Sequence, residues 1–125
     1  AAGLSPDGSS TWFLPRLIGL RRARELMLTN RMLSADEARD MDIIDRVVAD
    51  DALQDEAMAQ AKAFAAGPTL AYGATKRLLQ ETWTSGLGTQ MDRETRSISD
   101  LSRTADAREG IDAFLNKRKP AFKGE

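Results

Sequence analysis

Apolar residues recur at helical spacing along most of the chain. Leu20, Ala23 and Met27 fall on one face of a predicted helix over residues 20–28, beside several arginines. Similar apolar stripes, each followed by Gly, Pro or a polar turn, predict longer helices downstream. These further helices are predicted over residues 51–66, 68–83 and 87–103, and from Asp106 to about Lys117, with Pro120 ending the last.

Two shorter signals lie between the first helix and the longer ones. Ser34 and Glu37 have the Ser-x-x-Glu spacing of a capping box, which predicts that a short helix begins there. Residues 43–48 are rich in β-branched side chains and form the one convincing strand candidate. A single strand has no partner within the chain, so the pattern predicts a mainly α fold.

Composition and charge narrow the classes of partner. The chain has 125 residues, of which 42% are hydrophobic and 30% charged, the balance of one ordinary globular domain. Its 18 basic and 19 acidic residues nearly cancel and form no long block of one sign, so we expect neither nucleic acid nor a membrane as partner. Without a long apolar run or a secretory leader at the start, a cytoplasmic location is expected.

The chain has no Cys and no His, and this removes many kinds of chemistry. Disulfides, thiolate nucleophiles, Ser-His pairs and Cys/His zinc sites are all excluded. Any proton transfer must therefore be carried by Asp, Glu, Lys or Tyr.

Two groups of residues are candidates for function on local grounds. Asp7 precedes Gly8 and two serines. Its carboxylate is a candidate for proton transfer, and the alternative is a structural role as a helix N-cap. Lys117, Arg118 and Lys119 form a basic cluster at the end of the last predicted helix. Such a cluster suits phosphate groups, but basic residues are also common in last turns without any ligand.

Two segments carry a resemblance to a known family. The stretch from Thr104 to Gly124, including Ala105-Asp106-Ala107-Arg108-Glu109-Gly110 and Lys117-Arg118-Lys119-Pro120, is similar to the closing signature of the crotonase (enoyl-CoA hydratase/isomerase) family. The stretch from Gly3 to Arg16, with Ser5-Pro6-Asp7-Gly8-Ser9-Ser10-Thr11-Trp12, resembles the active-site loop and following helix of that family. The resemblance covers nearly the whole chain but only the second half of a crotonase subunit.

The resemblance implies both a fold and a domain organisation. It implies the C-terminal helical part of a crotonase-like α/β spiral fold, mainly α with one or two short strands. Residues 1–50 would then form the active-site loop, the first helices and the short strand, and residues 51–125 a helical trimerisation region.

The resemblance also implies an activity and its residues. Crotonase-like enzymes act on acyl-CoA thioesters through an enolate held by two main-chain N–H donors, while carboxylates move protons. Asp7 lies on the loop where isomerase and dehalogenase branches carry their working aspartate, and the isomerase branch is slightly favoured. Phe114 and Lys117 would contact the CoA of a neighbouring subunit, with the CoA thioester as substrate and no further cofactor or metal.

In the family, the oxyanion donors precede the part that matches Gly3. We therefore expect an enoyl-CoA hydratase/isomerase-type protein that is incomplete and inactive as this chain alone. The expected partners are acyl-CoA, further copies in a trimer or hexamer, or a complementary N-terminal half. The alternative is a non-catalytic helical oligomerisation or binding module derived from a crotonase.

Two positions depart from the family pattern. Ser9 and Ser10 stand where many relatives have two glycines, so the loop is expected to adopt fewer positive-φ conformations and to approach a ligand less closely. Asp42 stands where relatives usually have Gly, at a position expected to be left-handed, a conformation that Asp tolerates better than most residues.

Overall fold

The structure, a computed structural model, describes residues 3–125 and confirms a mainly α fold. Seven α-helices are assigned within these residues, and a 3₁₀ turn at Asp50–Ala52 leads into the fourth. The predicted helices all form, with ends within a few residues of the expected ones. The helices are α1 (Ser10–Ile18), α2 (Leu20–Thr29), α3 (Ala35–Asp40), α4 (Leu53–Ala65), α5 (Thr69–Glu81), α6 (Leu87–Leu101) and α7 (Ala105–Leu115).

The predicted strand is not formed. Residues 43–48 make bends and irregular backbone, and no strand is assigned anywhere in residues 3–125. A strand exists only when its N–H and C=O groups pair with a second strand. Because no other segment of the described chain is assigned as a strand, the β-branched pattern lacks the partner that would make it a strand.

The described chain falls into two compact units, Ala1–Leu53 and Gln54–Glu125. In the first unit, α1 packs against α2 and buries Ile18 and Ala23. Arg31 joins α2 to α3, since its guanidinium lies 3.0 Å from a carboxylate oxygen of Glu25 and 3.4 Å from one of Glu37.

The two ends of α3 are fixed by complete capping motifs. The Ser34 hydroxyl accepts a hydrogen bond from the Glu37 N–H at 3.1 Å, and the Glu37 carboxylate accepts from the Ser34 N–H at 2.9 Å, which is the predicted capping box. At the other end, Asp42 has a φ of 61°, and the N–H of Ile43 donates to the carbonyl of Ala38. This is a Schellman motif with Asp in the left-handed position, as expected for Asp42.

The second unit contains α5 packed against α6, with the small side chain of Ala74 buried. Gln90, in the first turns of α6, donates from its side-chain amide to the carbonyl of Leu78 at 3.1 Å and so ties the two helices together. Many large apolar side chains of this unit remain exposed. They include Phe64, Leu79, Trp83, Met91, Ile98, Ile111, Phe114 and Leu115.

Candidate functional site

The Asp7 loop is a tight turn placed directly before α1. Gly8 and Ser9 both have positive φ, 60° and 61°, and the N–H of Ser10 donates to the carbonyl of Asp7 at 3.1 Å. Two consecutive left-handed residues closed by this bond are typical of a type I′ turn. Ser9 therefore adopts the conformation that a glycine would favour, and the departure from the family pattern leaves the turn intact.

The side chain of Asp7 takes no part in capping the helix. The N–H groups of Trp12 and Phe13 donate to the main-chain carbonyl of Ser9, and the hydroxyl of Ser10 donates to the main-chain carbonyl of Asp7 at 2.7 Å. Within residues 3–125 the Asp7 carboxylate is exposed and accepts no hydrogen bond. The simple N-cap role is therefore wrong, and the turn is built by main-chain and hydroxyl groups.

The second candidate site lies at the end of α7, where Lys117 occupies a strained backbone position. Its φ is 51°, its N–H donates to the carbonyl of Phe114 at 3.2 Å, and the N–H of Arg118 donates to the carbonyl of Ala113 at 3.0 Å. These two bonds define a Schellman motif in which Lys117 takes the position that is usually glycine. The Lys117 side chain is exposed and makes no ion pair within residues 3–125.

Phe114 lies one turn before Lys117 and is 83% exposed. With Ile111 and Leu115 it lines an apolar groove of about 400 Å³ that also involves Leu70 and Phe122. The end of α7 therefore brings an exposed aromatic ring and an unpaired ammonium group close together in the chain.

Arg118, which sequence reasoning left without a role, is the centre of the strongest polar cluster. Its guanidinium binds Glu109 in a bidentate manner, at 2.6 and 2.8 Å, and binds Asp112 at 2.5 Å. We call these three residues the Arg118 cluster. Glu109 also accepts a hydrogen bond from the N–H of Ala121 at 2.7 Å, so the cluster holds the segment after α7 against the helix.

The Arg118 cluster perturbs the acidity of Glu109. The bidentate hydrogen bonds from Arg118, followed by the one from the Ala121 N–H, lower the pKa of Glu109 to about 2. The same carboxylates raise the pKa of Arg118 above its already high value. Glu109 is therefore a charged group that holds Arg118 and the segment after α7.

Asp106 holds the following segment in the same way. It is the one buried charged side chain among the described residues, and its carboxylate accepts hydrogen bonds from the N–H groups of Lys123 at 2.7 Å and Gly124 at 2.9 Å. Phe122 packs close to Gly110 on the same helix. The signature stretch from Thr104 to Gly124 thus folds back on itself as one unit.

Of the three predicted site residues, the structure brings Phe114 and Lys117 together at the end of α7, whereas Asp7 belongs to the other unit. Sequence reasoning missed the polar contacts of Asp112 and Arg118. The three-residue spacing of Glu109 and Asp112 on one helix face was a signal for a shared basic partner. No group of residues 3–125 has an arrangement suited to a metal ion, and no helix of that range is long and apolar enough to span a bilayer.

The chain is similar in sequence to known proteins over nearly its whole length. The model of the enoyl-CoA hydratase/isomerase family matches residues 1–125. Over 123 residues the chain is 42% identical to a 1,2-epoxyphenylacetyl-CoA isomerase of Escherichia coli, covering 98% of this chain and 47% of that protein. It is 38% identical over 122 residues to a Rhodobacter capsulatus protein assigned as an enoyl-CoA hydratase, covering 98% of this chain and 48% of that protein.

A solved structure gives the same result for the fold. A protein of Mycobacterium abscessus assigned as an enoyl-CoA hydratase/isomerase superposes with a TM-score of 0.94 at 33% identity, covering 98% of this chain and 47% of that one. The chain belongs to the enoyl-CoA hydratase/isomerase, or crotonase, family. It spans about half the length of these relatives.

Proposed function

We propose that this chain supplies the proton-transfer carboxylate and part of the CoA-binding surface of an acyl-CoA hydratase/isomerase. The observation that carries the proposal is the Asp7 carboxylate, exposed before α1 and accepting no hydrogen bond from residues 3–125. A carboxylate that stabilises neither helix nor turn is available to a substrate. Two relatives, a 1,2-epoxyphenylacetyl-CoA isomerase and a protein assigned as an enoyl-CoA hydratase, support a CoA thioester as that substrate.

The proposed chemistry is a proton shuttle. Asp7 would remove a proton from a carbon of the acyl chain as the electron pair moves onto the thioester oxygen, forming an enolate, and would return the proton to another carbon. The oxyanion needs donors placed where its charge develops, and the resemblance assigns these to a segment preceding Gly3. We therefore propose that the chain alone has little or no turnover.

Phe114 and Lys117 are proposed to bind coenzyme A. The Lys117 ammonium group has no carboxylate partner among residues 3–125 and so attracts the phosphates of coenzyme A. The exposed ring of Phe114, one turn away, offers an apolar contact for the rest of the coenzyme A molecule. Holding Lys117 at a φ of 51° costs backbone energy that a glycine would avoid. A non-glycine residue kept at such a position is a reason to propose a role for its side chain.

A titration of the folded chain with a short enoyl-CoA tests the binding proposal. Lys117→Ala should weaken binding by about tenfold, the scale of one charge-assisted hydrogen bond, whereas Lys119→Ala serves as the matched control. Lys119 lies two positions on in the same basic stretch and outside the left-handed position. Equal affinity for the wild type and Lys117→Ala, or no binding at all, would refute the proposal for this site.

The catalytic part requires a complete active site. We propose that a polypeptide supplying the complementary N-terminal half restores isomerisation or hydration when mixed with this chain. Asp7→Asn should then abolish proton exchange at the acyl chain, measured by deuterium incorporation, while leaving CoA affinity unchanged. Activity that survives Asp7→Asn would remove Asp7 from the mechanism.

The second candidate function is a non-catalytic helical assembly module. The many exposed apolar side chains of α4 to α7 favour it, because patches of this kind usually mark interfaces. Self-association as a trimer or hexamer, in the cytoplasm, is proposed under either function. Sedimentation velocity of the wild type and of Ile98→Lys tests self-association. A charge on the exposed apolar side of α6 should dissociate the assembly into monomers. A wild type that is already monomeric would contradict the proposed self-association.

A further inference from the structure

We propose that Asp112 is a positioning residue for Lys117: its carboxylate holds both neighbours of the lysine and fixes the left-handed turn at which CoA binds. The inference rests on the proposed role of Lys117 in CoA binding. Its basis is the contact geometry at the end of α7.

The two oxygens of the Asp112 carboxylate serve different residues. Oδ1 accepts a hydrogen bond from the side-chain amide of Asn116 at 2.9 Å, and Oδ2 accepts one from the guanidinium of Arg118 at 2.5 Å. Asn116 and Arg118 are the residues on either side of Lys117. The Asp112 side chain therefore holds the turn on both sides of Lys117.

A second contact on each side makes the turn rigid. The Asn116 amide also donates to the main-chain carbonyl of Asp112 at 3.0 Å, and Arg118 is held by both oxygens of Glu109. These bonds add to the main-chain hydrogen bond from the Lys117 N–H to the Phe114 carbonyl and offset the cost of the positive φ at Lys117. Without them, the left-handed conformation would compete with ordinary extended or helical ones.

The arrangement also determines which cation the carboxylates neutralise. Glu109 and Asp112 are both paired with Arg118, whose planar guanidinium suits two carboxylates better than an ammonium group does. Lys117, in the same turn, is left without an acidic partner among residues 3–125. Arg118 thus neutralises the carboxylates of Glu109 and Asp112, which would otherwise pair with Lys117 and weaken its attraction for an anionic ligand.

The variant Asp112→Asn distinguishes a positioning role from a simple effect of charge, because the two predict opposite changes in the affinity for coenzyme A. Removing a negative charge near the site should, by charge alone, tighten binding of the anionic coenzyme A. If Asp112 positions Lys117, the variant should instead weaken CoA binding by about threefold to tenfold, since preorganisation of the turn is lost. Asp92→Asn, an exposed aspartate of α6 with no contact in residues 3–125, is the control for charge.

The experiment is a double-mutant cycle measured by calorimetric titration of the full chain with coenzyme A. Asp112→Asn should weaken binding in the presence of Lys117 and have no effect in the Lys117→Ala background. A purely structural role would give the same loss in both backgrounds. Hydrogen exchange of the Arg118 N–H, which donates to Ala113, should accelerate in Asp112→Asn while the rest of α7 keeps its protection.

The outcomes separate the two proposals. Wild-type binding that Lys117→Ala weakens and Asp112→Asn leaves unchanged or tightens overturns the positioning role alone. Equal losses in both lysine backgrounds, or unaltered exchange at Arg118, also overturn it. A wild type that does not bind coenzyme A refutes the proposed CoA site, and the positioning role with it.

Discussion

The carboxylate of Asp106 accepts a hydrogen bond from the main-chain N–H of Lys123 at 2.7 Å, across 17 residues of sequence. The same carboxylate accepts one from Gly124, and the N–H of Asp106 donates to the carbonyl of Glu125 at 2.8 Å. Three hydrogen bonds thus join the first turn of α7 to the segment that follows the helix.

Asp106→Asn should destabilise the second unit by roughly 2 kcal/mol, because an amide supplies one acceptor where the carboxylate supplies two, and its NH₂ group opposes a main-chain donor. Urea unfolding followed by circular dichroism measures the change. Asp92→Asn removes the same charge without a contact and should leave the midpoint unchanged. Equal stability of the two variants would show that Asp106 does not hold the segment.

Protonation of Glu109 in acid should weaken its hydrogen bonds with Arg118 and the Ala121 N–H. Because Arg118 and the Ala121 N–H lower the pKa of Glu109 to about 2, this carboxylate stabilises the fold fully above its unfolded value, near pH 4.5. The stabilisation is lost as the pH falls from there towards about 2. In the folded wild type, the amide resonance of Ala121, which donates to Glu109, should shift with a midpoint near pH 2, and it should stay constant in Glu109→Gln.

Lys117→Gly should raise stability and lower CoA affinity together. Glycine adopts the positive φ of this position freely, so the free energy of unfolding should rise by about 1 kcal/mol. Thermal unfolding measures the gain, and titration with coenzyme A measures the loss. Lys119→Gly makes the same replacement where φ is not positive, so a gain there of equal size would contradict the backbone explanation.

Ser34→Ala should destabilise α3 by about 1 kcal/mol, the usual cost of losing an N-cap oxygen. The Glu37 N–H would lose its acceptor and should exchange with solvent faster. Ser5→Ala, an exposed loop serine of the same unit without a side-chain hydrogen bond in the described chain, is the matched control. Unchanged exchange at Glu37 would mean that the capping box contributes nothing measurable.

Local signals in the sequence sufficed for the helices. The capping box at Ser34 and the apolar stripes of the longer helices follow from steric and hydrogen-bonding preferences within a few residues. Such preferences act over one helical turn and do not depend on the rest of the molecule. The left-handed position of Asp42 was expected from the family resemblance.

Features that depend on distant partners were not predicted. The β-branched pattern of residues 43–48 indicates a strand, but pairing requires a second strand that the described chain does not provide. Likewise, the contacts of Arg118 with Glu109 and of Asp106 with Lys123 join residues 9 and 17 positions apart. The helical spacing of Glu109 and Asp112 indicates a shared basic partner but does not identify it. The N-cap role considered for Asp7 was wrong because the first N–H groups of α1 donate to the main-chain carbonyl of Ser9 and not to the Asp7 carboxylate.

The segment at residues 43–48, which forms no strand in the described chain, has a consequence for handling the protein. A short β-branched run of this kind is a typical nucleus for aggregation when it is exposed. Asp45 and Arg46 interrupt the run between Ile44 and Val47. They thus serve as gatekeepers, which keep the apolar stretch too short to stack with itself in solution.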